Sequence, residues 1–131
     1  KKKPPREVRM VALVARRGPS VLLGLREAGG LFGGLWEPPM IEAHAGENPE
    51  ASLAAFLGLD FRDFEVVVEQ THVLTHRRLR ISVAAAAVSG EPRRAAAPYE
   101  RFAWCAVREV QKLGMSSLAK KVLLACPGRH A

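Results

Sequence analysis

LLGLREAGGLFGGLWEPP, residues Leu22 to Pro39, changes character three times in a short span. The apolar run Val21 to Leu25 reads as a strand. Arg26-Glu27 then leads into Ala28 to Gly34, where Gly29, Gly30, Gly33 and Gly34 bracket Leu31-Phe32. Leu35-Trp36-Glu37 runs into Pro38-Pro39 and on to Met40-Ile41. Two adjacent prolines forbid a helix and place this segment at a sheet edge or in an irregular strand. By glycine content alone the loop is a candidate phosphate cradle. A phosphate-binding loop ends in Gly-Lys-Ser/Thr, however, and here Gly34 is followed by Leu35-Trp36, with no GxGxxG spacing either. The loop is therefore read as a turn where backbones pass closely.

Working outward, Val8, Met10, Ala12 and Val14 alternate with less apolar neighbours, as a half-buried strand does. Arg16 to Ser20 is a turn, so this strand and Val21–Leu25 form a hairpin. On the other side, Asn48-Pro49-Glu50 has the cap and first-turn proline of a helix start. The helix covers Ala51 to Leu57 and stops at Gly58. Strands are predicted over Phe64–Glu69, Leu79–Val88 and Tyr99–Ala106, with a turn-rich Ser89–Pro98 between the last two. Val107–Leu113 and Ser117–Ala125 are read as helices parted by Gly114, the second capped by Ser116 or Ser117. This order predicts an α+β protein, a mixed β-sheet flanked by helices. Residues 8–126 form the domain, with a basic Lys/Pro tail or linker over 1–7 and a C-terminal tail over 127–131.

With 131 residues and 48% hydrophobic content, one domain with a real core is expected. No apolar run approaches the length of a membrane span, so a soluble protein is expected. The start, KKKPPREV, lacks the apolar middle of a signal peptide. Two cysteines, Cys105 and Cys126, are too few for an iron–sulfur cluster or a four-cysteine zinc site. They are read as buried thiols in a reducing compartment, with Cys105 inert in a core strand. The net charge of +7 favours an anionic partner, nucleic acid above all, although part of it comes from Lys1, Lys2 and Lys3.

Thr71 to Arg80, THVLTHRRLR, concentrates the remaining chemistry. His72 and His76 would share a helix face and could hold zinc, but β-branched neighbours indicate a strand or loop, and no third ligand has the spacing. Glu42, Glu47 and Glu50 are the only acids grouped near the glycine loop, at irregular spacing that suits a solvated edge and a helix start.

The ordered set Leu22-Leu23-Gly24-Leu25-Arg26, Gly29 to Trp36 and Glu37-Pro38-Pro39 resembles the Nudix family. That resemblance implies a metal-binding helix with an Arg-Glu-x-x-Glu-Glu signature. The corresponding stretch here, Gly46 to Leu59, has Ala54, Ala55 and Phe56 where acids and arginine are wanted. Pyrophosphate hydrolysis needs several carboxylates to hold the metals that activate water, so Nudix catalysis is not expected.

The chain is similar over nearly its whole length to one branch that has lost this signature, the C-terminal domain of MutY-type adenine DNA glycosylases. The matching pieces are Lys1-Lys2-Lys3-Pro4-Pro5, Val11 to Arg17, Gly30 to Glu37, His72-Val73-Leu74-Thr75-His76, Phe102-Ala103-Trp104 and Lys120-Lys121-Val122-Leu123. The resemblance implies a non-catalytic domain that recognises 8-oxoguanine opposite adenine in double-stranded DNA. It implies a bacterial cytoplasmic, nucleoid-associated setting. It also implies a partner in the same parent chain, an N-terminal domain that hydrolyses the N-glycosidic bond and holds the [4Fe-4S] cluster; no cofactor is expected in this chain.

The lesion-reading role falls on Leu74, Thr75 and His76, with Arg77, Arg78 and Arg80 adding phosphate attraction and Lys1, Lys2, Lys3 and Arg6 as backbone or linker contacts. Normal guanine offers an acceptor at N7. Oxidation at C8 places a hydrogen on N7, and a hydroxyl oxygen such as that of Thr75 can accept from it. Leu74 stands where the branch has an aromatic ring, leaving an apolar wedge in place of stacking. The alternatives are an active Nudix hydrolase of oxidised nucleoside triphosphates, and a non-catalytic protein-interaction module using surface apolars such as Leu31 or Phe32.

Overall fold

The computed structural model describes residue 4 and residues 6–126, so Lys1, Lys2, Lys3 and the tail over 127–131 lie outside the described residues. Strands β1 (Arg6–Arg17) and β2 (Ser20–Arg26) form the expected hairpin. They pair only next to the turn, Arg16 with Val21 and Arg17 with Ser20, and then part. The segment after the glycine loop fills the fork between them. β3 (Trp36–Glu37) ladders onto β2, Gly24 opposite Glu37, while β4 (Met40–Glu42) ladders onto β1, Ala12 opposite Met40. Pro38-Pro39 make the step between the two strands, where a missing N–H costs no ladder bond. The Pro39 carbonyl still accepts from the Leu13 N–H at 2.9 Å.

Beyond α1 (Pro49–Leu57) come β5 (Arg62–Leu74), β6 (Arg77–Ala87) and β7 (Tyr99–Ala106), then a 3-10 helix (Val107–Lys112) and α2 (Ser117–Leu124). The seven strands form one mixed sheet, ordered β3-β2-β1-β6-β5, with β4 also on β1 and β7 on β2. β6 runs parallel to β1 from Arg6↔Arg77 to Arg16↔Ala87. The predicted mixed sheet flanked by helices is the observed architecture.

Two apolar clusters hold the layers together. On one face Val14, Val21, Leu23, Ile81 and Val83 pack with Leu118 and Val122 of α2. On the other Val11, Leu13, Leu22, Ala84 and Ala86 pack with Leu53 and Leu57 of α1. This corrects the half-buried reading of β1: Val11 to Ala15 are all buried. A central strand covered by helices on both faces reads as a continuous apolar run.

The helix ends follow the sequence reading. Asn48 caps α1 by accepting from the Ala51 N–H at 3.0 Å, and Ser116 caps α2 by accepting from Ala119 at 3.0 Å. Three expectations shift. Val107–Lys112 is a 3-10 helix, not an α-helix. β1 begins at Arg6, inside the stretch read as tail. β5 continues past Glu69 to Leu74, because Thr71 and Val73 keep the extended preference until the turn.

Candidate nucleic-acid interface

The fork between β1 and β2 is closed by a buried polar network. Glu37 is 2% exposed and is the buried charged residue of the described core. Its Oε2 accepts from the Tyr99 hydroxyl at 2.5 Å and from Arg26 Nη1 at 3.0 Å. The Tyr99 oxygen in turn accepts from the Met40 N–H at 2.8 Å. Burial, then the facing Glu37 carboxylate, pushes the Tyr99 phenol well above its ordinary range, so it stays protonated and donates. Four strands, β2, β3, β4 and β7, and the Pro38-Pro39 step are thus pinned by one phenol and one carboxylate. Sequence reasoning passed over this set. Its signals were an acid wedged between Trp36 and Pro38 and the lone tyrosine of the chain.

Arg26 also fixes the glycine loop, donating from Nε to the Leu31 carbonyl at 2.8 Å. The loop bonds to itself: Gly33 N–H to Gly30, Gly34 N–H to Arg26 and Leu35 N–H to Phe32. A side chain at Gly33 would meet the Glu27 carbonyl at 2.9 Å, the close backbone passage the glycines suggested. Donors spent internally leave a poor phosphate cradle.

Thr71 to Arg80 forms the end of the β5–β6 hairpin. Leu74 pairs with Arg77, leaving Thr75-His76 as a two-residue turn. His72 and His76 therefore lie on a strand and in a turn, not on one helix face. Among the described residues no three His, Cys, Asp or Glu stand together as a metal site. Thr75, His76, Arg77 and Arg78 are exposed and Leu74 is half-buried. Arg6, read from sequence as a linker contact, sits in register with Arg77, and its N–H donates to the His76 carbonyl at 3.2 Å. The structure therefore gathers Leu74, Thr75, His76, Arg77, Arg78 and Arg6 at one tip. Arg80 departs from the group. It donates to Glu69 at 2.7 Å and lies 3.9 Å from Glu7, a charge already answered within the chain. Val73, 65% exposed and opposite Arg78, is a tip residue the sequence reading did not single out.

His72 faces the other way and ties the hairpin to α2. Its Nε2 lies 3.0 Å from Gln70 Oε1, and Gln70 Nε2 donates to the Lys121 carbonyl at 3.2 Å. Burial, then the Lys121 charge, lowers the His72 pKa. The unfolded chain therefore takes this proton first as pH falls through about 6.5, and its share of stability, full above that value, is lost down to the lower folded pKa. Urea midpoints between about pH 7.5 and 5.5 are expected to fall less in His72→Gln than in the parent.

Cys105 is half-buried, not buried as read, and Cys126 is buried; both are thiols. Burial, then Glu109, pushes the Cys105 thiol up, which keeps it a poor nucleophile at neutral pH. Among the described residues no helix is long and apolar enough to cross a membrane.

From Arg77 at the hairpin tip a groove of about 340 Å³ runs past Leu79, Met10 and Phe32 to Arg26 and Glu37. Helix α1, whose Phe56 lines this groove, carries a single acid, Glu50, in its first turn. Phe56, where an acid was wanted, packs against Tyr99 and Phe102 at 6.2 and 6.3 Å between ring centroids.

A family model described as NUDIX domain matches residues 10–125. The NUDIX domain of Shewanella oneidensis NrtR, solved with ADP ribose, superposes with a TM-score of 0.75 at 15% identity, covering 99% of this chain and 91% of that one. A MutT NUDIX hydrolase from Burkholderia pseudomallei gives 0.73 at 17% identity over 92% and 98%. The C-terminal domain of mouse MUTYH, solved in complex with human PCNA, gives 0.63 at 24% identity over 92% and 87%. At these identities the likeness is one of fold. No curated protein matches the chain.

Proposed function

Because this chain belongs to the Nudix domain family, we propose that it is a branch member that reads DNA in place of hydrolysing a nucleotide. In this reading it is the C-terminal, non-catalytic part of an adenine DNA glycosylase and holds 8-oxoguanine opposite adenine. The observation that carries this is the hairpin tip, where the Thr75 hydroxyl and His76 imidazole are exposed between Arg77, Arg78 and Arg6. The likeness in fold to the mouse MUTYH C-terminal domain and the single acid of α1 support it.

The chemistry follows from the lesion. The Thr75 oxygen accepts from the N7–H that only the oxidised base carries, and a backbone N–H of the turn donates to the oxygen on C8. Leu74 wedges beside the base pair. His76, Arg77, Arg78 and Arg6 hold flanking phosphates, which position the domain without reading sequence. Lys1, Lys2 and Lys3, outside the described residues, add positive charge to the attraction for DNA. Base extrusion and bond cleavage belong to the glycosylase domain of the parent chain, which also holds the [4Fe-4S] cluster. The two cysteines of this chain cannot supply its four ligands.

Salt dependence tests the electrostatic part. Arg77→Ala and Arg78→Ala are each expected to lower the slope of log affinity against log salt by about one. Arg80→Ala is expected to leave the slope unchanged, since its guanidinium is held by Glu69 and Glu7. An unchanged slope in the first two variants would remove the tip from the DNA contact.

One observation favours a second reading, an active hydrolase of oxidised nucleoside triphosphates: the groove that joins Arg26 and Arg77 to Phe32 has room for a nucleotide. It requires magnesium-dependent release of pyrophosphate by this chain. With Ala54, Ala55 and Phe56 on α1, none is expected.

A further inference from the structure

A second groove, of about 390 Å³, lies between the 3-10 helix and α2, away from the hairpin tip. Val21 of the β1–β2 hairpin, Val110 of the 3-10 helix and Leu123 and Leu124 of α2 line it. Leu124 is 71% exposed, the most open large apolar side chain among the described residues. An apolar residue left at the lip of a concave apolar surface marks a place where a partner docks.

Among the described residues, the charged residues that line this groove are Arg108 and Lys120, both basic.

We propose that this groove receives a short segment of another protein that carries large apolar side chains with acidic residues beside them. The apolar walls offer nothing to a phosphate backbone, and a concave slot does not fit a flat lipid surface. An amphipathic segment satisfies both features, with its apolar face in the slot and its carboxylates at Arg108 and Lys120. The site shares no residue with the hairpin tip, so it stands apart from the lesion reading.

The test is fluorescence anisotropy of the full chain with a labelled synthetic peptide of about twelve residues, with two leucines one helical turn apart and glutamates at the other exposed positions. The peptide is expected to bind, and replacing its leucines with alanine is expected to abolish binding. Leu124→Asp, at a site exposed enough to spare the core, and the pair Arg108→Glu with Lys120→Glu are each expected to weaken binding about tenfold. DNA binding by Leu124→Asp is expected to match the parent. Absence of peptide binding, equal binding of the alanine peptide, or no effect of Leu124→Asp would overturn the proposal, the last two by reducing the contact to charge attraction.

Discussion

Tyr99→Phe is expected to lower the stability of this domain by about 3 kcal/mol, a fall in melting temperature of about 10 °C. The substitution removes one oxygen and leaves the ring in place. That oxygen serves two buried groups, donating to Glu37 at 2.5 Å and accepting from the Met40 N–H at 2.8 Å. Without it the Glu37 carboxylate keeps only Arg26, and the Met40 N–H is orphaned. Removing one partner leaves the other to bear its full desolvation cost, more so when that partner is charged. Thermal melts of the two proteins at neutral pH check this. A fall of only a few degrees would mean that water reaches the fork and takes the place of the phenol.

Gly24→Val is expected to be of similar or greater effect, and even Gly24→Ala is expected to cost about 2 kcal/mol. A Cβ at Gly24 would lie 2.7 Å from Tyr99 Cδ1 and 2.9 Å from Cε1. The ring cannot retreat, because Tyr99 is 1% exposed and Phe56 and Phe102 pack around it. If the clash with the ring is the cause, the cost depends on what stands at position 99. Gly24→Ala is expected to cost as much in a Tyr99→Phe background as in the parent, and much less in a Tyr99→Leu background. Denaturant midpoints of these proteins provide the comparison.

Local chemistry was legible in the sequence, and long-range pairing was not. Asn48, Pro49 and Gly58 bounded α1, and the cap of α2 was narrowed to Ser116 or Ser117, of which Ser116 holds it, because caps depend on residues three or four positions apart. The hairpin at Arg16 to Ser20 was readable for the same reason. The parallel ladder of β1 on β6 joins residues some seventy positions apart, Arg6 to Arg77, and no local pattern announces it. The Glu37–Tyr99 bond spans 62 positions, so an acid in an apolar segment looked like an edge residue, not a pinned core group.

The tip shows the same division. From sequence, THVLTH read as a strand or a loop, because β-branched residues flank its two histidines. In the fold the ladder continues to Leu74↔Arg77, and only two residues turn. Sequence alone also treated Arg77, Arg78 and Arg80 alike. A strand sends alternate side chains to opposite faces, and on that basis Arg78 and Arg80 share a face where Glu7 and Glu69 occupy Arg80. The arginine cluster is thus smaller than its spelling, while Arg6 joins it from a strand distant in sequence.

The measurement that most directly tests the reading of this domain compares its affinity for two labelled duplexes in low salt. They differ only in 8-oxoguanine or guanine opposite adenine, with Thr75→Ala and His76→Ala measured beside the parent. The account predicts tighter binding to the oxidised duplex. It predicts that Thr75→Ala brings the two affinities together, a loss of about 1 kcal/mol of discrimination for one hydrogen bond, while His76→Ala weakens both. Equal affinity of the parent for the two duplexes would contradict lesion reading by this hairpin and leave only an electrostatic grip on DNA.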